Sequence, residues 1–440
     1  MSALVNGLSG LLAAQRALNV TSQNTANVNT PGYSRQETLL AARAGGYSRF
    51  DAGAGVEVVG LRRVTDDYLT ANVWHSNAER GFTVQYSDLM AHIEQVFGSG
   101  ELGITTGLDN FYAALNAATD APQAMAPRQQ VLATAEGLSN RFNLLARNID
   151  TQEQQLHERA DAIIASINQR VAEIAALNSA IVDTLSRDGN TAALEDQRDL
   201  AVTALAEFVR VRVDHQRDGS FSVSLAGGQA LVLGSSGARL SRDGAGFRLQ
   251  LGEQSQVLNE GAGGALGALL DYRANELEPL RAQLNALAQD VADGINGLLV
   301  SGVDLAGQPG VSLFAYEPEA PARTLRLADG ITDTTLAFAA TGGGPGDNRN
   351  LLALLAQKDD YYADYTGLVG ALAVRAGQVA AEAQVSRELY LDATARRDSV
   401  SGVNLDEEAM QLMRYVQAYQ ANAKVVGTAG ELFDTLLAMF

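Results

Sequence analysis

From Leu405 onward the chain sets apolar or small residues in steps of four and three without a break: Leu405, Ala409, Leu412, Val416, Tyr419, Ala423, Val426, Gly430, Phe433, Leu437 and Phe440. That spacing makes one continuous face only on an α-helix, and it commits about five heptads to an a/d seam that something must cover. The start is marked as well. Asn404 can cap, Glu407 follows three residues on as in a capping box, and Asp406, Glu407 and Glu408 suit the positive helix end. A helix over about 405–438 is expected. At the other end Leu4, Leu8, Leu11 and Leu18 keep the same rhythm, with Gln15 between them, before the stripe turns polar at Ser22 and Thr25. The first helix should therefore run to about Asn27. Neither terminal helix has a sequence neighbour able to cover its stripe. Either they cover each other as a coiled coil, joining the chain ends, or other copies cover them, with folding delayed until those copies arrive.

Between the ends, Leu138, Phe142, Leu145, Ile149, Leu156, Ile163, Ile167, Ile174, Leu177, Ile181 and Leu185 recur at mostly helical spacing, which predicts a rod-like helix over Glu136 to about Arg187. Further helical patterns cover about 65–97, 105–117, 193–208, 265–300 and 361–399. Strand signals are central: Val209, Val211 and Val213 alternate with polar residues, a turn follows at Gln216–Gly219, and Phe221, Val223 and Leu225 alternate again. Leu231–Leu233 and Phe247, Leu249 and Leu251 repeat the theme. Residues 301–350 are irregular, with four prolines and GGGPG at 342–346. The expected fold is mainly α with a smaller β-rich part. It is an elongated nested multidomain rod, in which paired terminal helices (1–40 with 400–440) lead to a helical bundle domain (41–208 with 265–300 and 350–399). A β-rich outer region (209–264 and 301–349) projects from the middle of the chain.

A net charge of -19 and only two lysines, Lys358 and Lys424, argue against binding nucleic acid by phosphate neutralisation. With no cysteine, disulfides and thiol catalysis are excluded. His75, His92, His157 and His215 show no metal-ligand spacing. The 342–346 glycine run lacks the Lys-Ser/Thr of a phosphate loop and reads as a plain loop. No catalytic, cofactor or metal site is expected. No run of 18 apolar residues spans a membrane, and the N-terminus lacks the basic leader of a signal peptide.

The polar stretch NTANVNTPGYSRQ (24–36) ends the first helix. Thr30-Pro31-Gly32-Tyr33 suits a type II turn, proline setting the first central residue and glycine taking positive φ at the second. Asn24, Asn27 and Asn29 can bond the helix end and the turn locally. GLSGLLAAQRALNVTSQNTANVNTPGYSRQ (7–36) and SGVNLDEEAMQLMRYVQAYQANAKVVGTAGELFDTLLAMF (401–440) resemble the terminal signatures of flagellar rod, hook and hook-associated axial proteins. TPGYSRQ together with SGVNLDEE is most similar to the hook-associated protein 1 family. Weaker similarity lies in LEDQRDLAVTALAEFVRVRV (194–213) and GDNRNLLALLAQ (346–357).

The resemblance implies a structural component of the bacterial flagellum, exported by the flagellar type III apparatus and located outside the cell at the hook–filament junction. Implied partners are copies of itself in a helical layer, the hook protein, the second hook-associated protein and a cytoplasmic export chaperone at the C-terminal helix. The expected assembly interface is Leu4, Leu8, Leu11, Leu18, Leu405, Leu412, Val416, Tyr419, Val426, Phe433 and Leu437, and the expected motif turn is Asn27, Thr30, Pro31, Gly32 and Tyr33. The region 300–350 looks short for the family, which implies a reduced outer domain. Alternatives are the hook protein itself or the second hook-associated protein and, more distantly, an axial scaffold carrying a surface enzyme.

Overall fold

The computed structural model describes residues 2–44, 53–100, 103–244, 246–258 and 261–439. The helices are α1 (Ser2–Ala26), α2 (Asp67–Gly98), α3 (Ile104–Ala118), α4 (Met125–Ser186), α5 (Ala192–Phe208), α6 (Gly264–Tyr272), α7 (Glu278–Ser301), α8 (Pro321–Thr324), α9 (Arg349–Ala356), α10 (Lys358–Ser401) and α11 (Leu405–Leu437). The longer strands are β1 (Gln36–Ala42), β2 (Val56–Arg63), β3 (Val211–His215), β4 (Phe221–Leu225), β5 (Ala230–Leu233), β7 (Arg239–Asp243), β8 (Gly246–Leu251) and β9 (Gln254–Leu258). Two-residue strands complete the set: β6 (Ser236–Gly237), β10 (Gly302–Val303), β11 (Phe314–Ala315), β12 (Arg326–Leu327) and β13 (Ala339–Ala340). The fold is mainly α with a smaller strand-rich part.

The chain forms two compact units. The first comprises Met1–Gly81, Ile164–Gly264 and Ser386–Phe440, and the second Phe82–Ile163 and Ala265–Val385. The terminal helices thus share a unit with the central strands, whereas 301–349 falls in the second unit. Phe440, the last seam position, lies outside the described residues.

In the first unit α1 packs against α11, and the antiparallel β1–β2 hairpin packs on α1. Sequence reading placed residues 41–63 among helices. The alternation in VEVVGLRR is short and half-polar, so it carries a weak strand signal, and pairing with β1 supplies what local pattern does not. Two antiparallel sheets, β3-β4-β5-β6 and β7-β8-β9, account for the predicted central strands. The C-terminal part of α4 docks on both through asparagines. Asn168 accepts from Leu240 N at 2.7 Å and donates to Leu240 O at 2.8 Å. Asn178 accepts from Phe221 N at 3.0 Å and donates at 2.8 Å to both Phe221 O and Gly234 O. Each amide presents the donor–acceptor pair of a neighbouring strand, so strand edges that a helix cannot pair are still satisfied. At Gly81, α2 comes so near α5 that a Cβ would lie against the Glu207 carbonyl oxygen.

In the second unit, Phe97, Ile104, Phe111, Leu138, Phe142 and Leu284 are among the buried core residues. α4 starts eleven residues before the predicted Glu136. Pro127 does not prevent this, because first-turn N–H groups have no intrahelical acceptor. The predicted helix over 265–300 is instead two helices joined by a π-helical turn, Arg273–Leu277, which ends two residues before Pro279. Proline at 279 removes the bond to residue 275 and crowds its carbonyl, and the wider turn accommodates both. Region 301–349 carries only two-residue ladders, β10–β13 and β11–β12, so it is not the β-rich region expected. Prolines and glycines interrupt strand pairing there, and side chains satisfy the backbone instead. Asn296 accepts from Leu313 N and Phe314 N at 2.8 and 2.9 Å and donates to Phe314 O at 2.9 Å. Arg128, 1% exposed, donates to Pro122 O at 2.7 Å and to the carbonyls of Asp333 and Leu336. Residues 342–346 form a loop in which Gly342 has φ +80°.

Candidate assembly surface

The terminal helices run antiparallel. Asn24 bonds Glu408 near one end of the pair, while Gly7 faces Val425 and Val426 near the other. On α1, Gly7, Gly10, Thr21 and Asn24 meet α11, and the buried Ala14 and Ala17 fill the same 3/4 repeat of small and polar residues. A Cβ at Gly10 would collide with the Asn422 side chain, and one at Gly7 would sit 3.0 Å from Val426. Close approach therefore depends on residues without side chains. The predicted leucine row does not form this contact. It is turned by about a third of the helix circumference at roughly 100° per residue. Leu4 and Leu8 are 40% and 46% exposed, and Leu11 and Leu18 are half-buried.

On α11 the outcome is similar. Leu405, Leu412, Tyr419, Phe433 and Leu437 are exposed, from 36% at Tyr419 to 60% at Leu437, whereas Val416 and Val426 are half-buried. The only buried residue of this helix is Glu408. Apolar periodicity leaves open whether the partner helix or other copies cover these rows, and the helix pair leaves most of them uncovered. The parallel row of glycine and alanine in α1 was the available signal for a close helix pair.

Asn404 caps α11 by accepting from Asp406 N at 3.0 Å. Glu407 does not complete a capping box: its carboxylate accepts from Arg35 Nη1 at 2.9 Å, because the chain leaving the motif turn brings a guanidinium within reach. The turn itself is type II as predicted. Tyr33 N donates to Thr30 O at 3.2 Å, and Gly32 has φ +76° and lies against Leu200 of α5. Asn27 donates to Gln23 O at 2.9 Å and accepts from Thr30 Oγ1 at 3.1 Å, while Asn29 stays exposed. Pro31 is exposed at the first central position.

The hub is Asn24, 1% exposed. Its amide donates to Gln36 O at 2.9 Å and Glu408 Oε1 at 3.1 Å, and accepts from Tyr33 Oη at 2.8 Å and Gln36 N at 3.0 Å. Burial raises the Glu408 carboxyl above its ordinary range despite the Asn24 bond. Burial, reinforced by Asp196 and Glu408, pushes the Tyr33 phenol up to about 12.

The residues after the turn are anchored to α5. Ser34 N donates to Asp196 Oδ2 at 3.3 Å, and Arg63 contacts Glu195, Asp196 and Asp199 at 3.1, 2.8 and 2.6 Å. Burial raises Asp196 and Asp199 against the pull of Arg63. Glu195 is also penalised by burial, but its bonds to Thr191 and Arg63 bring it below the ordinary range. Ion pairs and hydrogen bonds occupy these groups, and the geometry is that of a clamp between hairpin and helix. Among the described residues no group of three or more His, Asp or Glu side chains is arranged to hold a metal ion, and no helix is long and apolar enough to cross a membrane.

Residues 90–314 match the model of the flagellar hook-associated protein FlgK helical domain. Residues 4–33 match that of flagella basal body rod proteins, and 397–439 that of the FlgEFG rod protein C-terminus. The chain is 28% identical to flagellar hook-associated protein 1 of Salmonella typhimurium, over 99% of this chain and all of that one. It is 24% identical to the Bacillus subtilis protein of the same name, covering 97% and 96% of the two chains. The Salmonella alignment spans 568 positions against 440 residues here, so at least 128 of them have no counterpart in this chain. Among solved structures, the flagellar hook junction protein FlgK of Burkholderia pseudomallei is similar, with TM-score 0.52 and 29% identity over 56% of this chain and 47% of that one.

Proposed function

The chain belongs to the flagellar hook-associated protein FlgK family, and from that membership we propose that it is a structural adaptor, without enzymatic activity, forming the first layer between hook and filament. It leaves the cell through the flagellar type III apparatus. Before that, a cytoplasmic chaperone holds the α11 segment from Val416 to Leu437. In place, it contacts copies of itself, the hook protein below and the second hook-associated protein above.

The observation that carries this reading is a helix pair that closes through one face and leaves its leucines open on another. Leu4, Leu8, Leu405, Leu412, Tyr419, Phe433 and Leu437 are exposed although α1 and α11 already pack together. Burying one such side chain between copies contributes roughly 1.5–3 kcal/mol, so a few per subunit suffice to drive polymerisation. Replacing Leu412 and Phe433 by Asp together should abolish incorporation at the hook tip and stop filament growth. Filament protein should then be lost to the medium, while the helical content of the purified chain is unchanged. Normal filaments on hooks carrying the double variant would overturn the proposal.

A further inference from the structure

Beyond the leucine row, the first unit has a second open apolar surface. A groove of about 650 Å³ lies among α1, β2 and the end of α4, lined by Val20, Val58, Val59, Leu61 and Leu185, with Arg16 at its side. Val59 is 59% exposed, and a Cβ on Gly60 would meet nothing within 4 Å. Arg16 and Asp188 are the two charged residues of the lining, so the groove offers a cation as well as an anion beside its apolar floor.

The fold also contains a segment suited to this groove. With α1 and α11 antiparallel and Gly7 opposite Val425 and Val426, residues beyond about 431 of α11 have no facing turn of α1 among the described residues. That segment is exposed throughout 431–439 and carries Leu432, Phe433, Leu436 and Leu437. Its only charges are Glu431 and Asp434. Phe433 and Leu437 are one turn apart, and Asp434 stands beside Leu437 at i,i+3 spacing.

We propose that the α11 end of one copy inserts Phe433 and Leu437 into the α1–β2 groove of a second copy, with Asp434 pairing to Arg16. The occupant cannot come from the same molecule. The level of Phe433 lies about 25 Å along the helix axis from that of Arg16, at 1.5 Å per residue. Each subunit both donates and receives, and with different neighbours at the two surfaces the contact is head-to-tail and propagates, whereas a reciprocal exchange between two copies would stop at a dimer.

The inference rests on assembly through the terminal helices, and the experiment separates the two. Because the chain has no cysteine, Val59→Cys can be combined in one chain with Leu436→Cys, which lies beside the inserted pair and leaves Phe433 and Leu437 in place, expressed in cells and oxidised in isolated flagella. The expected result is a ladder of cross-linked oligomers extending beyond dimer, absent when Val59→Cys is paired with Val374→Cys. In a cysteine-free background Arg16→Glu alone and Asp434→Arg alone should each reduce filament number several-fold, and the two together should restore it. Absence of the ladder from assembled flagella, or additive loss in the charge-reversed double variant, would overturn the groove contact. If Leu412→Asp with Phe433→Asp still blocked assembly, the broader reading would stand without it.

Discussion

Asn24 uses both amide donors and both acceptor positions of its side chain, and no other residue type fills all four at that length. It joins the end of α1, the motif turn, β1 and α11 at one buried point. The tetrapeptide turn was legible from Pro31 and Gly32 because its requirements are local. The role of Asn24 as a hub was not, since its bonds to Gln36 and Glu408 are fixed by how the chain returns, and Glu408 is 384 residues away. The buried carboxylate has a pH signature. Its folded value is raised above the ordinary 4.5, so the folded state binds the proton more tightly than the unfolded one. Its contribution is therefore fully favourable below that value and is lost as pH rises through the raised one. Glu408→Gln keeps an acceptor for Asn24 and removes the titration. The melting temperature of the variant should gain on that of the parent as pH rises from 4.5 toward neutrality, read by circular dichroism. Parallel pH profiles would exclude this role.

At the scale of elements, the long helices follow from 3.6-residue periodicity: α11 matches its predicted course closely, and α4 ends where expected but starts eleven residues early, ahead of its apolar row. Elements that depend on a partner were less visible. The hairpin strand β2 has a half-polar sequence, and 301–349 is held by Asn296, Arg128 and Asn350 in addition to two ladders of only two residue pairs each. The same device joins α4 to the sheets. Asn178→Leu preserves size but strands Phe221 N, Phe221 O and Gly234 O without partners, which should cost about 3 kcal/mol. Trp74 is the only tryptophan and lies 6.4 Å edge-on from Phe221. Its fluorescence therefore follows this unit in a denaturant titration, and an unchanged midpoint would show that the asparagine bonds contribute little.

At the scale of the whole molecule, a net charge of -19 opposes bringing copies together. Raising ionic strength from about 0.01 M to about 0.15 M shortens the screening length from about 30 Å to about 8 Å and should promote self-association of the purified chain. Sedimentation velocity at the two salt levels checks this, and association that weakened with salt would mean that attractive ion pairs dominate the contact. The exposed rows on α1 and α11 and the groove beside β2 belong to this scale because they concern surfaces left after the fold has closed.

The sequence by itself determined most of the helices, the Asn404 cap, the type II turn and the terminal family motifs, all of which depend on neighbours a few residues apart. Only the tertiary structure decided which face each terminal helix turns inward. Apolar periodicity marks rows that seek burial but does not say against what. Close helix packing selected Gly7, Gly10, Ala14 and Ala17, which let the backbones approach, and left the larger leucines outside, where a second copy can reach them.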